Sequence, residues 1–299
     1  MAAHFSDLHF ASTDGLALYA RDYAGAAGTK KPPLVCLHGL TRNSRDFEDF
    51  APRAASLGHR VLVLDTRGRG RSAWDPKPER YHPFVYGADV LTLLDVAGVA
   101  SAGFIGTSMG GFVTMVVAKL AKERVAGALL NDIGPEISPV GVARIASYVG
   151  KGSPVSTWAD ARAYAKRTNG VAFPRYEDSD WDAFARRVFD EGPEGKPVLA
   201  YDPTIARAFA AAEEGPSAHT QAGWETFADL VATRPTLLVR GVLSDLVDAG
   251  ITAKMKARAP QLAVANVPNV GHTPTLVEPE AWDAFVAWAA RLETSSTAR

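Results

Sequence analysis

The segment around Ser108 has the residue types and spacing of a nucleophilic site. Residues 106–110 read Gly-Thr-Ser-Met-Gly, a Gly-x-Ser-x-Gly pattern in which the serine rides a tight turn between a strand and a helix. An apolar strand-like run precedes it at 102–105, and an apolar helix-like run follows at 111–118. A serine hydroxyl is a poor nucleophile on its own, so this chemistry requires a base to take its proton and an acid to orient the base.

The candidates for base and acid lie far along the chain, each after an apolar run. His272 follows the run at 262–267. Because no other histidine follows that run, we expect His272 to be the general base. Asp245 follows the run at 235–240 and is the predicted acid. Asp132 remains an alternative acid because it too directly ends a strand-like run.

Other polar residues are interpreted as structural. Asp248 precedes a helix-like stretch and is expected to be its N-cap. His38 is expected to fix a loop, and the arginines at 67, 69 and 71 in a Gly-rich turn are typical of a solvated surface. The glycines around Ser108 lack a following Lys-Ser/Thr, which excludes a phosphate-binding P-loop, and no cluster has zinc-ligand spacing. We therefore expect no cofactor and no metal.

The elements that must position these residues follow an alternating pattern. Short runs rich in Val, Ile and Leu alternate with helix-like segments, which predicts an α/β fold whose parallel strands are joined by crossover helices. In such sheets ligands bind at the carboxyl ends of the strands, where all of the candidate residues lie. The predicted strands are 16–23, 34–38, 60–65, 102–107, 125–131, 235–240 and 262–267, and the predicted helices lie near 45–57, 84–97, 109–122, 249–258 and 282–290.

One stretch departs from the pattern. From 137 to 223 there is no strong strand-like run, and we predict an inserted, mainly helical cap there, between two parts of a core domain at 1–136 and 224–299. Its aromatic residues either line a ligand pocket or form the cap's own small core. They include Trp158, Tyr164, Phe173, Trp181, Phe184, Tyr201 and Phe209.

The order Ser108, Asp245, His272 along this alternating pattern resembles the α/β-hydrolase superfamily over essentially the whole chain. The Leu-His-Gly-Leu segment at 37–40 is similar to the family's His-Gly loop, and the turn at 65–72 to a further family loop. The resemblance implies an α/β-hydrolase fold with a mostly parallel sheet flanked by helices.

The resemblance also implies roles for particular residues. Ser108 would be the nucleophile, His272 the base and then the acid, and Asp245 the residue that orients the imidazole. The backbone N–H groups of Leu40 and Met109 would bind the developing oxyanion.

Capped esterases, lactonases and carbon–carbon bond hydrolases of this superfamily look most similar. Dehalogenases and epoxide hydrolases carry an aspartate where this chain has Ser108, which disfavours those reactions. We expect a carboxylesterase-like hydrolase that cleaves an ester or lactone through an acyl-enzyme, without a cofactor. The alternatives are hydrolysis of the carbon–carbon bond in ring-cleavage diketones, and a ligand receptor on the same fold that does not turn over.

Composition limits the partners. Lys and Arg (32) nearly balance Asp and Glu (33), so the net charge of −1 provides no long-range attraction for nucleic acid or an anionic membrane. The expected partner is a small, apolar ester-like molecule, and the sequence leaves the oligomeric state open. A single cysteine, Cys36, in an apolar run and the absence of a secretory leader or an apolar run of about 18 residues favour a cytoplasmic location.

Overall fold

The computed structural model describes residues 4–29, 31–151, 155–207, 209 and 221–296. Its central feature is an eight-stranded sheet, whose strands are β1 (Phe5–Ala11), β2 (Ala17–Tyr23), β3 (Leu34–Leu37), β4 (Val61–Asp65), β5 (Ala102–Thr107), β6 (Val125–Asn131), β9 (Thr236–Gly241) and β10 (Ala263–Val267). Two further strands, β7 (Phe189–Glu191) and β8 (Pro197–Leu199), form a separate hairpin. The order in the sheet is β1-β2-β4-β3-β5-β6-β9-β10, in which β1 and β2 are antiparallel to their neighbours and the other strands are parallel.

The helices cover both faces of this sheet. Because β3, β4 and β5 are covered on both sides, every residue in them is buried, which explains their unbroken apolar sequences. Neighbouring residues such as Phe104 and Ile105 belong to the apolar clusters on opposite faces. The core helices are α1 (Phe50–Ser56), α2 (Pro83–Val96), α3 (Met109–Leu120), α7 (Gln221–Thr233), α8 (Ala249–Arg258) and α9 (Pro279–Ser296).

The sequence-based fold prediction is confirmed. The seven predicted strands agree with the observed strands to within one residue at each end, and Asp248 caps α8 by accepting a hydrogen bond from the Ile251 amide at 2.8 Å. The prediction missed β1, whose residues are mostly exposed, so that no apolar run marks the strand. It also missed the β7–β8 hairpin.

The segment predicted to be inserted carries helices α4 (Pro139–Ala146), α5 (Trp158–Asn169) and α6 (Asp178–Val188), followed by the β7–β8 hairpin, and α5 and α6 form a helical insertion. Helices α5 and α6 pack on one another around a small apolar core of their own, at whose centre Trp181 is fully buried. None of the described helices combines the length and the apolar composition needed to cross a bilayer.

Candidate active site

Ser108 occupies a sharp turn between β5 and α3. Its φ of 51° and ψ of −117° are unusual for a residue with a side chain, and this backbone lifts the hydroxyl above the strand end. The two motif glycines are required by close approach: a Cβ atom at Gly110 would lie 2.1 Å from the carbonyl oxygen of Leu37, and one at Gly106 would lie 2.5 Å from the backbone of Gly110. The Gly-x-Ser-x-Gly pattern is therefore explained by the close packing of α3 against β3 and β5.

His272 lies between the serine and a carboxylate. Its Nε2 is 2.9 Å from Ser108 Oγ, and its Nδ1 is 2.7 Å from Asp132 Oδ2. The imidazole is 8% exposed and the carboxylate fully buried. Because an ionised carboxylate only accepts hydrogen bonds, the contact assigns the proton to Nδ1 and leaves Nε2 free to accept the serine proton.

Asp132 is held by three donors. Besides His272, its Oδ2 accepts from Ser244 Oγ at 2.5 Å and its Oδ1 accepts from the Gly241 amide at 3.2 Å. Hydrogen bonds to the charged form offset the cost of burying a carboxylate. These hydrogen bonds fix the orientation of the Asp132 carboxylate, with Oδ2 facing the imidazole.

The prediction that Asp245 orients the imidazole is wrong in this structure. Its carboxylate turns away and forms a two-pronged ion pair with Arg144 of α4, at 2.5 Å to Nε and 2.9 Å to Nη2. Burial raises the pKa of Asp245, but the bonds from Arg144 outweigh it and hold the pKa below its usual value. The carboxylate against the imidazole comes from the end of β6, the direct neighbour of β5, while Arg144 holds the Asp245 side chain.

Sequence reasoning missed Ser244, the residue before Asp245. Its hydroxyl donates to Asp132 and accepts from the amides of Leu246 and Val247, both at 3.1 Å, so it ties the loop after β9 to the acid. No sequence signal distinguishes this serine, since small polar residues are common where strands end.

Comparison with known proteins identifies the family. Residues 32–279 match the family model described as alpha/beta hydrolase fold. The chain belongs to the α/β-hydrolase family.

Individual relatives of this hydrolase cover most of its length. A 3-hydroxybutyrate-oligomer hydrolase of Cupriavidus necator is 37% identical over 250 residues, which is 82% of this chain and 84% of that protein. A 2-(acetamidomethylene)succinate hydrolase of Mesorhizobium japonicum is 28% identical over 83% of this chain and 84% of its own. A solved α/β hydrolase from Novosphingobium aromaticivorans is 40% identical, covers 97% of this chain and 99% of its own, and superimposes with a TM-score of 0.86.

The two predicted oxyanion donors border the serine of the hydrolase. Met109 is the first residue of α3, where N–H groups have no partner within the helix, and Leu40 lines the cavity next to Ser108. The peptide that carries the Leu40 N–H is fixed through its carbonyl oxygen, on Gly39, which lies 2.8 Å from His38 Nδ1. The role of both N–H groups remains a prediction.

His38 is neutral and acts as a loop-fixing residue, as its position in the sequence predicts. The Thr66 amide donates to its Nε2 at 3.0 Å, so Nδ1 carries the proton and donates to Gly39. Burial lowers the pKa of His38, which favours the uncharged ring. It has no contact with Ser108 that would make it a second base.

The expectation that the arginines at 67, 69 and 71 form a solvated surface is wrong for two of them. Arg67 is buried among the carboxylates of Asp14, Asp75 and Asp89, at 2.6–2.9 Å. Arg71 is the exposed member.

Arg69 is fully buried directly behind the predicted oxyanion donors. It donates to the carbonyl oxygen of Leu40 at 2.9 Å and to the Tyr86 hydroxyl at 2.9 Å, and its Nη2 lies 3.7 Å from Met109 Sδ. Among the described residues no carboxylate lies within 4.0 Å of its guanidinium nitrogens. A buried cation is therefore surrounded by neutral acceptors next to Ser108.

The serine opens into a cavity, partly open to solvent, between the core and the inserted region. Of the aromatics predicted for the cap, Phe173 and Phe184 line the cavity, whereas Trp181 and Tyr164 are buried in the small core of α5 and α6. Tyr176, which the sequence analysis did not single out, also lines the wall.

Direct hydrogen bonds connect the inserted region to the core beside the site. The Gly271 amide, next to His272, donates to the Ala172 carbonyl at 2.7 Å. Asn43 donates from its side chain to the carbonyl oxygen of Arg187, at the end of α6, at 2.8 Å. These contacts hold the roof of the cavity to the loops that carry the catalytic candidates.

Proposed function

We propose that the protein is a serine hydrolase that cleaves carboxylic esters through an acyl-enzyme on Ser108. The observation that carries the proposal is the hydrogen-bonded line from Ser108 Oγ through His272 to Asp132. This arrangement is the one that activates a serine hydroxyl near neutral pH.

In the first half of the reaction His272 Nε2 takes the Ser108 proton while Oγ attacks the ester carbonyl. The imidazolium gives that proton to the departing alcohol oxygen, and the acyl group remains on Ser108. In the second half His272 takes a proton from water, whose oxygen attacks the acyl carbon, and the acid leaves as Ser108 regains its proton. Asp132 keeps the Nδ1 proton in place and stabilises the transient imidazolium.

The N–H groups of Leu40 and Met109 are proposed to bind the oxygen that becomes negative in each half. Such donors are effective because they are in place before charge develops. His38 donates to the carbonyl oxygen of Gly39, and Arg69 donates to that of Leu40. These two hydrogen bonds fix the segment that carries the Leu40 N–H.

The substrate class that we propose is short oligoesters of hydroxy acids such as 3-hydroxybutyrate. The 37% identical relative, which bears that name, supports this class. The cavity also supports it, because polar groups of Arg42, Asn169 and Arg187 line it beside the aromatic rings. This replaces the expectation of an apolar ester.

The proposal is tested with a fluorophosphonate probe and two esters, p-nitrophenyl butyrate and the linear dimer of 3-hydroxybutyrate. We expect the probe to label Ser108 and both esters to be cleaved repeatedly. Ser108→Ala should melt as the wild type does while losing labelling and turnover, whereas Ser147→Ala, at an exposed serine of the cap, should keep both. A wild-type protein that binds these esters without labelling or turnover would instead be a receptor.

A further inference from the structure

One wall of the cavity carries two guanidinium groups. Phe184 and Arg187 are three residues apart on α6, so they share one face of the helix, and both line the cavity. Arg42 approaches from the loop after β3, and its guanidinium carbon lies 4.1 Å from the centre of the Phe184 ring. Core and inserted region thus each contribute one cation to the same patch.

Both guanidinium groups keep donors that no described residue uses. Arg42 binds Asp46 through Nε and Nη2, which leaves Nη1. Arg187 binds Asp49 through Nη2 at 2.6 Å, which leaves Nε and Nη1 without a described protein acceptor. The side chains of Arg42 and Arg187 are 16% and 22% exposed, so a ligand in the cavity would meet them largely shielded from water.

The cavity lining contains two guanidinium groups and one partner carboxylate, Asp46. The second partner carboxylate, Asp49, is 57% exposed and lies outside the lining residues. Burial and the nearby Glu278 carboxylate raise the pKa of Tyr176 to about 12, while Arg187 and Arg42 act against that rise. In a poorly solvated cavity a carboxylate gains charge-assisted hydrogen bonds from such donors.

We propose that Arg42 and Arg187 bind the carboxylate of an ester whose alcohol part is a hydroxy acid, so that the enzyme selects anionic esters. This inference rests on the proposed ester hydrolysis at Ser108. The names of two relatives are consistent with it, since both 3-hydroxybutyrate oligomers and a substituted succinate carry carboxylates. Hydrolysis then releases the hydroxy acid, with its carboxylate intact, and the acyl group as a second acid.

The test compares two esters that differ in one charge: 3-butanoyloxybutanoate and its uncharged carboxamide. We expect the wild type to cleave the anionic ester with a kcat/KM at least about tenfold higher, mainly through a lower KM. Arg187→Gln should reduce that ratio at least about tenfold, with the change in KM rather than in kcat. Its backbone carbonyl still accepts from Asn43 and Arg45, so α6 keeps its anchor to the core.

Two variants separate charge recognition from support of the cap. Asp49→Asn removes the ion pair of Arg187 but leaves its guanidinium, so the preference for the anionic ester should persist. Arg186→Gln removes the same charge from the preceding residue of α6, which pairs with Glu191 away from the cavity lining, and should also leave the ratio unchanged. If Asp49→Asn abolishes the preference as Arg187→Gln does, Arg187 acts only by supporting the structure through its ion pair, and the proposal is overturned.

A measurement on the wild type tests the anion site without relying on the folding of any variant. Raising the salt concentration from about 0.05 to about 0.5 M should weaken the preference for the anionic ester more than it changes cleavage of the carboxamide. Equal kcat/KM values for the two esters would overturn the anion site while leaving ester hydrolysis intact. If neither ester nor p-nitrophenyl butyrate is cleaved, ester hydrolysis itself fails, and the anion site with it.

Discussion

Arg69 is a charged residue whose burial is explained by its neighbours rather than by a counter-ion. Taking a guanidinium out of water costs several kcal/mol unless its donors are satisfied. Its donors reach the carbonyl oxygens of Leu40 and Arg67 and the hydroxyl of Tyr86. A cation held in this way behind the predicted oxyanion donors positions the Leu40 segment and favours negative charge nearby.

Arg69→Met should therefore impair the chemical step more than substrate binding. The methionine fills similar space but provides no donor for the Leu40 carbonyl, and we expect kcat to fall by about tenfold or more with KM little changed. Steady-state kinetics and the rate of labelling by a fluorophosphonate measure the effect. The control is Arg71→Met, which removes the same charge from a half-exposed side chain and should behave as the wild type does.

At the residue scale the sequence predicted that Ser108 and His272 would come together, but it chose a different carboxylate from the one that contacts His272. Ser108 and His272 follow strands whose motifs or position along the chain leave few alternatives. Asp132 and Asp245 both follow strands, and their choice depends on which strand adjoins β5 and on where Arg144 lies, neither of which local sequence encodes. Arg67 and Arg69 were misinterpreted for the same reason, since their buried partners come from distant segments.

At the element scale Arg144 and Asp245 join α4 to the loop after β9. The pair is mostly buried, with side chains 18% and 25% exposed, and Asp245 directly follows Ser244, whose hydroxyl donates to Asp132. Because the pKa of Asp245 in the folded state is lowered below its usual value of 3.8, the pair stabilises the protein above that pH. This stabilisation is lost as pH falls through the lower, folded-state pKa.

Asp245→Asn should thus lower the free energy of unfolding by about 1 kcal/mol at pH 7. The difference from the wild type should shrink as the pH falls below 3.8 and through the lower pKa of the folded state, because the wild-type carboxylate then also becomes neutral. Urea unfolding of the wild type, Asp245→Asn, Arg144→Gln and the double variant checks this. A difference that stays constant down to the lowest pH would show that the ion pair is not its cause.

Some secondary-structure elements were predicted from the sequence and others were missed. Strands buried on both faces have continuous apolar runs, so β3 to β6 were found with their bounds. The mostly exposed β1 and the three-residue strands of the β7–β8 hairpin have no comparable run. Which cap aromatics reach the cavity depends on how α5 and α6 pack, so Phe184 and Trp181 could not be told apart from sequence.

At the scale of the whole molecule, buried neutral histidines make stability depend on pH. Burial lowers the pKa of His38 and His59 below the usual 6.5. As pH falls below 6.5 the unfolded chain takes up protons on these rings before the folded protein does. Stability is then lost from about pH 6.5 downward until the folded-state pKa is reached.

Urea unfolding at about pH 7.5, 6.5 and 5.5 should show the free energy of unfolding decreasing toward acid, by at most about 1.4 kcal/mol per pH unit for each of the two histidines. His59→Gln should flatten part of this dependence. His4→Gln, at an exposed position, should not alter it. An unfolding free energy that is constant or rises toward pH 5.5 would contradict the assignment of neutral buried rings.

The chain as a whole brings together a hydroxyl, an imidazole and a carboxylate from three loops at one sheet edge, and the account depends on Asp132 being that carboxylate. The most direct test measures kcat/KM for p-nitrophenyl butyrate in Asp132→Asn and Asp245→Asn, both shown to be folded by circular dichroism. We predict a loss on the order of 10³–10⁴ for Asp132→Asn and less than about tenfold for Asp245→Asn. A large loss in Asp245→Asn with near wild-type activity in Asp132→Asn would contradict it.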